Sequence, residues 1–495
     1  MAAKRAMSRR RFLTLTGVAA GATTLAACAG TPQVVEKVVK ETVEVEKIVK
    51  ETVVVEKQVT VEVLAKGSIP IAWWVYPQWD GITGEEAEID GKEPTALDWP
   101  RHVSEQFMEM HPEVRVDLEL MDWGTGRQKV NVAAAAGLGP DVWWEDNGEI
   151  LKFALQGVLE PIDDALTGDD LEDFQPWAIE HATIAGKIWY WPWVSYTTCV
   201  MANRALFAER GAESFLPPED NRKWDYNQFL EALKEMTFDR DGDGTVDVYG
   251  YAIPCQQNPG DYHRHNFLWG RGARIFSPEW DRITLYVPEA VEGLQYMQDL
   301  EHRHQVIPAG SAAMSNSDAG RMWNEGRLAL YPAEPGIKFQ LEKAMREGTI
   351  PEGLIELYPV FHPSQPPNEP VEYSGEEGIG VFKQKDPGKL GLVMEFARFL
   401  TNTENQKAIK PLKYFPVRKS AGNLYPDDEF MEFMATTLAY AGPDTSVPYY
   451  YGARQFFVPM YQEVMSLQRT PEEALQFASS EAQKWLDEQL AQRVI

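Results

Sequence analysis

Residues 239–247 have the most specific spacing of possible metal ligands in this sequence. They match the start of an EF-hand calcium loop, with oxygen-bearing side chains at positions 1, 3, 5 and 9 and glycine at position 6. Position 12, where an EF-hand has a bidentate glutamate, is Gly250. We expect a structural calcium ion here, and the alternative is an acidic hairpin turn. The candidate ligands are Asp239, Asp241, Asp243, Thr245 and Asp247.

Aromatic and acidic side chains stand at the ends of two predicted strands. Trp73 and Trp74 end the first, and Trp144 is followed by Glu145 and Asp146 at the end of another. Aromatic rings stack on the apolar C–H faces of sugars, while carboxylates accept hydrogen bonds from hydroxyl groups. Because side chains alternate along a strand, one of the two adjacent tryptophans should face a cleft and the other the core. The expected ligand is a sugar or related neutral polyol.

Signatures of catalysis are missing from the sequence. It has no Gly-x-Ser-x-Gly elbow, no phosphate-binding loop and no His-Glu-x-x-His pair. His263 and His265 with Cys255 lack further ligands at zinc spacing. We therefore predict a binding protein and not an enzyme. A secreted, membrane-anchored glycan-active enzyme using a pair of carboxylates is the alternative.

Two other ligand classes stay open at the level of sequence. Residues 449–451 are three consecutive tyrosines, and paired tyrosinates can hold ferric ion, although the run also suits a loop packed by aromatic rings. A cationic solute such as a polyamine would suit Asp146, Glu334 and Glu376 if these carboxylates stand beside aromatic faces.

These candidates need strands to position them. Residues 71–74, 114–120 and 140–144 are predicted strands, and residues 99–110 and 128–136 are predicted helices between them. Strands that alternate with helices indicate an α/β fold with largely parallel sheets. In such sheets ligands bind beyond the carboxyl ends of the strands, where the tryptophans and acids described above stand.

The N-terminus is typical of an exported lipoprotein. Residues 1–27 combine a positive segment that contains Arg9 and Arg10, resembling a twin-arginine motif, with a weakly apolar stretch. Leu-Ala-Ala before Cys28 resembles a lipobox, so we expect lipidation of Cys28 to hold the protein at the outer face of the cell membrane. Residues 28–66 contain a Val/Glu/Lys repeat with a period of ten, interpreted as a stalk or alternatively as a strand-forming oligomerisation segment.

Charge and cysteine content narrow the possible partners. Lys and Arg number 47 against 75 Asp and Glu, which gives a formal net charge of −28. This charge excludes nucleic acid as a partner and disfavours anionic ligands. The basic residues expected near the cleft are few, namely His263, Arg264 and Arg418. Beyond Cys28 only Cys199 and Cys255 remain, and we expect two buried thiols instead of a disulfide.

Short segments spread along the chain resemble the family 1 extracellular solute-binding proteins, relatives of maltodextrin-binding protein. They follow one another in the family's order across almost the whole body of the chain. They are VAAAAGLGPDV (132–142), GVLEPID (157–163), GKIWYWP (186–192), MANRALF (201–207), WDYNQF (224–229), GIGVF (378–382), EFARFLT (395–401) and FPVR (415–418).

This resemblance implies a periplasmic-binding-protein fold of type II, in which two α/β lobes joined by crossing strands close on a ligand. It also implies an ABC permease in the membrane as the partner, and it requires no cofactor. The expected divisions are 1–27 signal peptide, 28–66 lipidated stalk, 67–194 first part of lobe 1, 195–356 first part of lobe 2, 357–420 return to lobe 1 and 421–495 C-terminal helices of lobe 2.

The resemblance also selects residues for the ligand cleft. Asp146 stands where the family commonly has a hydroxyl-binding acid, and Gly336 stands near the place of the family's stacking tryptophan. The complete set of ligand-binding candidates is Trp73, Trp74, Asp146, Gln256, Gln257, Tyr262, Glu334, Tyr373 and Glu376.

Overall fold

A computed structural model describes residues 61–63, 67–77, 97–122, 125–256, 262–442 and 444–494. The predicted signal segment, Cys28, most of the predicted stalk and Gln257 lie outside these residues, as does the side chain of Tyr262. The signal-peptide and lipidation predictions are therefore left as predictions.

Twelve strands are present in the described part of the chain, and ten of them form two larger sheets. The first sheet has seven strands in the order β1-β3-β2-β4-β11-β7-β12, the second has three in the order β10-β8-β9, and β5 pairs with β6. The strands are β1 Val61–Val63, β2 Ile69–Val75, β3 Val114–Leu120, β4 Val142–Asp146, β5 Thr183–Ile184, β6 Lys187–Ile188, β7 Tyr190–Thr197, β8 Cys199–Asn203, β9 Leu330–Ala333, β10 Leu357–Val360, β11 Ser374–Val381 and β12 Phe415–Pro416.

Sixteen α-helices connect and cover these strands in the same part of the chain. They are α1 Asp98–Met110, α2 Gly126–Ala135, α3 Asn147–Leu155, α4 Gly168–Asp173, α5 Pro176–His181, α6 Arg204–Arg210, α7 Tyr226–Glu235, α8 Tyr262–Trp269, α9 Pro288–His302, α10 Asn316–Asn324, α11 Gly336–Arg346, α12 Pro387–Leu400, α13 Thr403–Lys407, α14 Glu429–Thr437, α15 Tyr450–Met465 and α16 Pro471–Leu490. Among the described residues, no helix is both long and apolar enough to span a bilayer.

The first half of the seven-stranded sheet forms where hydrophobic periodicity predicts it. β3 alternates between buried and more exposed side chains, and β2 runs parallel to both β3 and β4. The predicted strands and helices of this region are confirmed with end points that differ by only a few residues. At the edge of the sheet β1 pairs antiparallel with β3, so the sheet takes up the end of the segment predicted as a stalk.

The second half of this sheet comes from distant parts of the chain. β11 lies antiparallel between β4 and β7, and every residue of β7 is buried. β7 ends at Thr197 and β8 begins at Cys199, so the chain passes directly from the first sheet to the second at Thr198. β10, which ends at Val360, lies in the second sheet, and the chain is back in the first sheet at Ser374.

Tryptophans fill the core beside the first sheet. Trp73 packs edge-on against Trp99 and Phe396 with ring centroids 6.2 and 5.5 Å apart, and Trp193 stacks on Trp99 at 5.5 Å. Many of the tryptophans that the sequence offers as ligand-binding candidates are therefore packed in the core instead. The fully buried tryptophans are Trp73, Trp143, Trp144, Trp191, Trp193, Trp269 and Trp323.

Cys199 and Cys255 are buried free thiols, as the composition predicts. The Cys199 thiol lies 3.4 Å from the sulfur of Met434. Burial raises the pKa of both thiols, that of Cys255 to about 11. Both are therefore inert packing groups at neutral pH.

Candidate functional site

The carboxyl end of β4 meets the start of β11 and the end of β7 at one edge of the first sheet. In the antiparallel register Asp146 of β4 lies opposite Glu377, and Tyr196 of β7 lies opposite Gly375. Directly opposed residues share a face of the sheet, so Asp146 and Glu377 belong to one face and Glu376 to the other. The side chains of the adjacent Glu376 and Glu377 therefore contact different neighbours on the two faces of the sheet.

Glycines in β11 make room for two tyrosines of β7. A Cβ atom on Gly375 would lie 2.2 Å from the ring of Tyr196, and one on Gly378 would lie 2.3 Å from the ring of Tyr190. A bulge shifts the register of β7 against β11 between Glu377 and Gly378. Residues 190 and 196 would share a face of a regular strand, but the bulge lets their rings lie over opposite faces of β11.

Each tyrosine hydroxyl donates a hydrogen bond to an acid on its own face. Tyr196 donates to Asp146 Oδ1 at 2.9 Å, and Tyr190 donates to Glu376 Oε1 at 3.1 Å. Burial raises the pKa of both phenols well above their usual value, and the nearby carboxylates add to the shift. Both hydroxyls therefore stay protonated at neutral pH and act as donors.

Arg127, at the start of α2, binds both acids at the end of β4. Its guanidinium donates to the two carboxylate oxygens of Glu145 at 3.1 and 2.7 Å and to Asp146 Oδ2 at 2.7 Å. The same guanidinium lies 4.4 Å from the centre of the Tyr451 ring. This bidentate and stacked geometry is specific to arginine and holds the two carboxylates in fixed orientations.

A chain of tyrosine hydroxyls joins this edge of the first sheet to helix α15. The hydroxyl groups of Tyr196 and Tyr373 are 3.2 Å apart, and those of Tyr373 and Tyr451 are 2.7 Å apart. We call Arg127, Glu145, Asp146, Tyr196, Tyr373 and Tyr451 the polar network. It links residues that are far apart in sequence into one buried, hydrogen-bonded surface.

Two further acids border the polar network without an ion-pair partner in the described part of the chain. Glu377 is only 6% exposed, and its Oε2 atom has no hydrogen-bond partner among the described residues. Burial raises its pKa well above the usual value, and Asp146, Glu145 and Glu334 add to the shift. Glu334 follows β9 of the second sheet, and burial, with a contribution from Asp146, raises its pKa to about 7.

Unlike Glu377, Glu376, whose side chain lies on the other face of the sheet, has hydrogen-bond partners on both carboxylate oxygens. His181 Nδ1 lies 2.9 Å from its Oε2 atom, and Tyr190 binds Oε1. Burial raises the pKa of Glu376 to about 7 against the opposing effect of these two partners. Burial lowers the pKa of His181, but its hydrogen bond to Glu376 and the charges of Glu376 and Glu180 together outweigh this and leave that pKa raised.

The predicted site residues divide into two groups. Asp146, Glu334, Tyr373 and Glu376 gather at this edge of the first sheet, whereas Trp73 is fully buried in the core and offers no face to a ligand.

Trp74 is partly buried, and one face of its ring is covered by the ammonium of Lys129, which lies 4.3 Å from the ring centroid. Gln256 is exposed, with its backbone held by Met314 and Gln462, and the described contacts of Gln256 do not reach the polar network.

The described contacts of the three basic residues predicted near the cleft do not reach the polar network. Arg418 pairs with Asp170 and Asp173 beside α4, and Arg264 is 1% exposed and donates to the carbonyl of Pro254. Burial lowers the pKa of His263 well below its usual value. The arginine that binds the acids of the network is Arg127, which the sequence does not single out, just as it does not single out Tyr196 and Glu377.

The three consecutive tyrosines 449–451 have different partners. The Tyr449 hydroxyl accepts from Arg493 at 2.6 Å, Tyr450 is buried near Trp269, and Tyr451 bonds to Tyr373. Their hydroxyls have separate surroundings, so the run does not form a paired-tyrosinate site for ferric ion.

The predicted calcium loop is an exposed turn closed by a bridge between Phe238 and Val248. Carboxylate oxygens of Asp239, Asp241 and Asp247 lie within 4.8 Å of one another. Asp243 instead accepts a hydrogen bond from the amide of Thr245 at 2.7 Å. Three of the five candidate ligands are thus brought together.

Known proteins resemble this chain in sequence over part of its length. A maltotriose-binding protein of Pyrococcus abyssi is 27% identical over 204 residues, which are 41% of this chain and 40% of that protein. A binding protein of Brucella abortus is 19% identical over 241 residues, or 49% of this chain and 55% of that protein. The chain therefore spans only about half the length of the curated relatives it matches.

Solved structures match over a larger share of the fold. An ABC substrate-binding protein of Listeria monocytogenes in complex with cycloalternan has a TM-score of 0.66 and 19% identity, covering 84% of this chain and 99% of that one. A solute-binding protein of Thermotoga lettingae bound with α-D-tagatose has a TM-score of 0.66 and 21% identity, covering 85% and 100%. The maltodextrin-binding domain of Bdellovibrio bacteriovorus bound to maltotriose has a TM-score of 0.63 and 16% identity, covering 86% and 100%.

These structural neighbours confirm the mixed α/β fold of a two-lobe binding protein. Residues 93–407, more than half of the chain, match the family described as bacterial extracellular solute-binding protein. The family resemblance inferred from the sequence is confirmed, and this chain belongs to the bacterial extracellular solute-binding protein family.

Proposed function

We propose that this chain is the solute-binding subunit of an ABC importer and that it captures a sugar at the polar network without transforming it. The observation that carries the proposal is the buried, pre-oriented set of acids, arginine and tyrosines where strands of the first sheet end. Such groups bind sugar hydroxyls, because ionised acids accept hydrogen bonds and phenols both donate and accept them. The maltotriose, tagatose and cycloalternan named for the relatives support a saccharide ligand.

A glycan panel tests the proposal. Titration calorimetry with mono- and oligosaccharides should give saturable binding by the full-length chain, and product analysis after prolonged incubation should show every sugar unchanged. Asp146→Asn should weaken binding, since the amide keeps the shape but loses the charged acceptor. Glu369→Gln, an exposed change of equal charge, is the matched control. Release of a cleaved sugar would establish an enzyme, and a panel without any bound saccharide would reject the proposed ligand class.

We also propose that lipidated Cys28 holds the exported protein at the outer face of the membrane, where an ABC permease receives the sugar. Support comes from the lipobox-like Leu-Ala-Ala-Cys sequence and from membership of an extracellular family. Cys28→Ala should abolish lipid labelling and membrane retention. Replacing Arg9 and Arg10 by lysine should block export if the twin-arginine route is used, whereas unchanged export would indicate the general secretory route.

For residues 239–247 we propose a structural calcium site, supported by the convergence of Asp239, Asp241 and Asp247. A ligand that binds only the native state raises its stability according to its concentration and affinity. Calcium should therefore raise the melting temperature of the wild type but not that of a variant with all three aspartates changed to asparagine. If calcium has no effect on the wild type, the loop is only a turn.

A further inference from the structure

We infer that the sugar captured by this chain carries a positive charge, an ammonium group that binds between Glu334 and Glu377 beside the polar network. This inference rests on the proposed sugar-binding function and specifies the class of sugar. It follows from the charges at the site, from the hydrogen bonds that these charged groups already make, and from the buried Oε2 atom of Glu377, which has no hydrogen-bond partner among the described residues.

The acids at the site outnumber the cations available to them. Glu145 and Asp146 use three hydrogen bonds from Arg127, so that guanidinium is already engaged. Glu334 and Glu377 have no ion pair in the described part of the chain. The site therefore retains two carboxyl groups whose charge no described side chain neutralises by direct contact.

Arg454 is a second buried arginine in the vicinity. Its guanidinium lies 5.1 Å from the centre of the Tyr451 ring, and its charge acts on Tyr373 and Tyr451. Neither Glu334 nor Glu377 forms an ion pair with it among the described residues.

Glu377 indicates where the missing cation belongs. The residue is almost completely buried, it shares a face of the sheet with Asp146, and its Oε2 atom has no hydrogen-bond partner among the described residues. An unpaired buried carboxylate is costly, so it either takes up a proton or acquires a charged partner. The charged groups that face it are Asp146, Glu145, Glu334 and Arg127, and three of these four are acids.

An ammonium group matches this site better than a hydroxyl group does. It has three donors and no acceptor, so it can bind Glu377 and Glu334 at the same time and offset their charges. A neutral sugar leaves both charges in place or requires both acids to be protonated. Burial first, and the neighbouring acids second, raise the pKa values of Glu334 and Glu377, and neither group has an ion pair in the described part of the chain to offset this.

Matched pairs of saccharides test the inference. Glucosamine and its dimer and trimer are compared with N-acetylglucosamine and its dimer and trimer, by calorimetry with the full-length chain at pH 7, where free amines still carry protons and Glu334, with a pKa of about 7, is partly ionised. The best-bound amino sugar should bind roughly 10- to 100-fold more tightly than its acetylated partner, as expected for added charge-assisted hydrogen bonds. Neutral maltotriose serves as the reference for sugar binding in general.

Two variants localise the effect. Glu377→Gln and Glu334→Gln should each remove about tenfold of the preference for the amine and leave binding of the acetylated sugars nearly unchanged. Glu369→Gln removes the same charge at an exposed site and should preserve the preference, because the net charge of −28 alone does not create it.

The outcomes separate the two proposals. If neutral saccharides bind and no amino sugar is preferred, the inference is overturned while the proposed function stands. The inference is likewise overturned if both glutamine variants keep the full preference for the amine. If no saccharide of either kind binds, the proposed function fails and the inference fails with it.

Discussion

The calcium-like loop 239–247 and the polar network both concentrate carboxylates, but the fold neutralises them in different ways. In the loop, aspartates that are exposed or half-buried accept hydrogen bonds from nearby backbone amides, such as those of Gly242 and Gly244 to Asp239. In the network, buried acids depend on one arginine and on tyrosine hydroxyls. Because water screens the loop and not the network, a lost partner matters far more in the network.

Removing the arginine of the network should have the largest effect. Arg127→Met keeps much of the side-chain volume but leaves Glu145, whose side chain is 2% exposed, without its cation. We expect the free energy of unfolding to fall by about 3 kcal/mol in urea titrations without ligand, because a buried charge loses its partner. Arg204→Met is the control, since Arg204 also pairs with a glutamate and lies 4.4 Å from a tyrosine ring, but its partner Glu219 is 69% exposed where Glu145 is 2% exposed. A loss below ~1 kcal/mol is expected for it, and an equal loss in both variants would contradict the comparison.

A methyl group at Gly375 should have the next largest effect. Gly375→Ala places Cβ against the Tyr196 ring and should lower the free energy of unfolding by roughly 1–3 kcal/mol. Gly391→Ala, in helix α12 where nothing lies within 4 Å of the new Cβ, should raise it by about 0.5–1 kcal/mol. In a double-mutant cycle Tyr196→Ala should relieve most of the Gly375→Ala cost, and strict additivity would show that the ring does not occupy this space.

The stability of the ligand-free chain should fall as pH rises through the window set by Glu334. Its folded pKa, about 7, lies above the ordinary glutamate value of 4.5, so the native state binds more protons between these values and loses stability as pH rises. Glu334→Gln should reduce this fall, making the variant more stable than the wild type by roughly 1–3 kcal/mol at pH 8 and equally stable near pH 4. Denaturant titrations across this pH range test the prediction, and a variant less stable than the wild type at pH 8 would contradict it.

A single change in the exposed loop should have the smallest effect. Without calcium, Asp241→Asn should alter the free energy of unfolding by less than ~0.5 kcal/mol, since the carboxylate is exposed and its backbone acceptor role passes to the amide oxygen. Chemical denaturation in the presence of a chelator tests this. A loss of unfolding free energy as large as that of Arg127→Met would mean that the loop and the polar network are equally sensitive to the loss of one charged group.

The sequence predicts the scaffold better than the site. Hydrophobic periodicity is a local signal, and it correctly places the early strands and helices that lead to Asp146. The polar network instead depends on pairing across more than 200 residues, between β4 and β11, which no local pattern reveals.

Arg127 and Trp73 show two things about the site that the local sequence does not specify. Arg127 escapes prediction because nothing near it in the sequence signals that a helix start will face the end of β4. Trp73 is the core-facing member of the pair, and the sequence leaves this open because strand alternation predicts opposite directions for Trp73 and Trp74 but does not say which face other helices will cover. The paired glycines Gly375 and Gly378 are the one available signal, because glycine in a strand often marks the close approach of another group.

The position of β11 between β4 and β7 affects how the chain can fold while it is being synthesised on the ribosome. Strand β4 can pair with β2 early, but its second neighbour is missing until residues 374–381 have been synthesised, which at common translation rates takes on the order of 10–50 seconds after β4 itself. During that interval an apolar strand edge stays unpaired and open to aggregation. We therefore expect truncated products that end before residue 374 to precipitate where the complete chain folds.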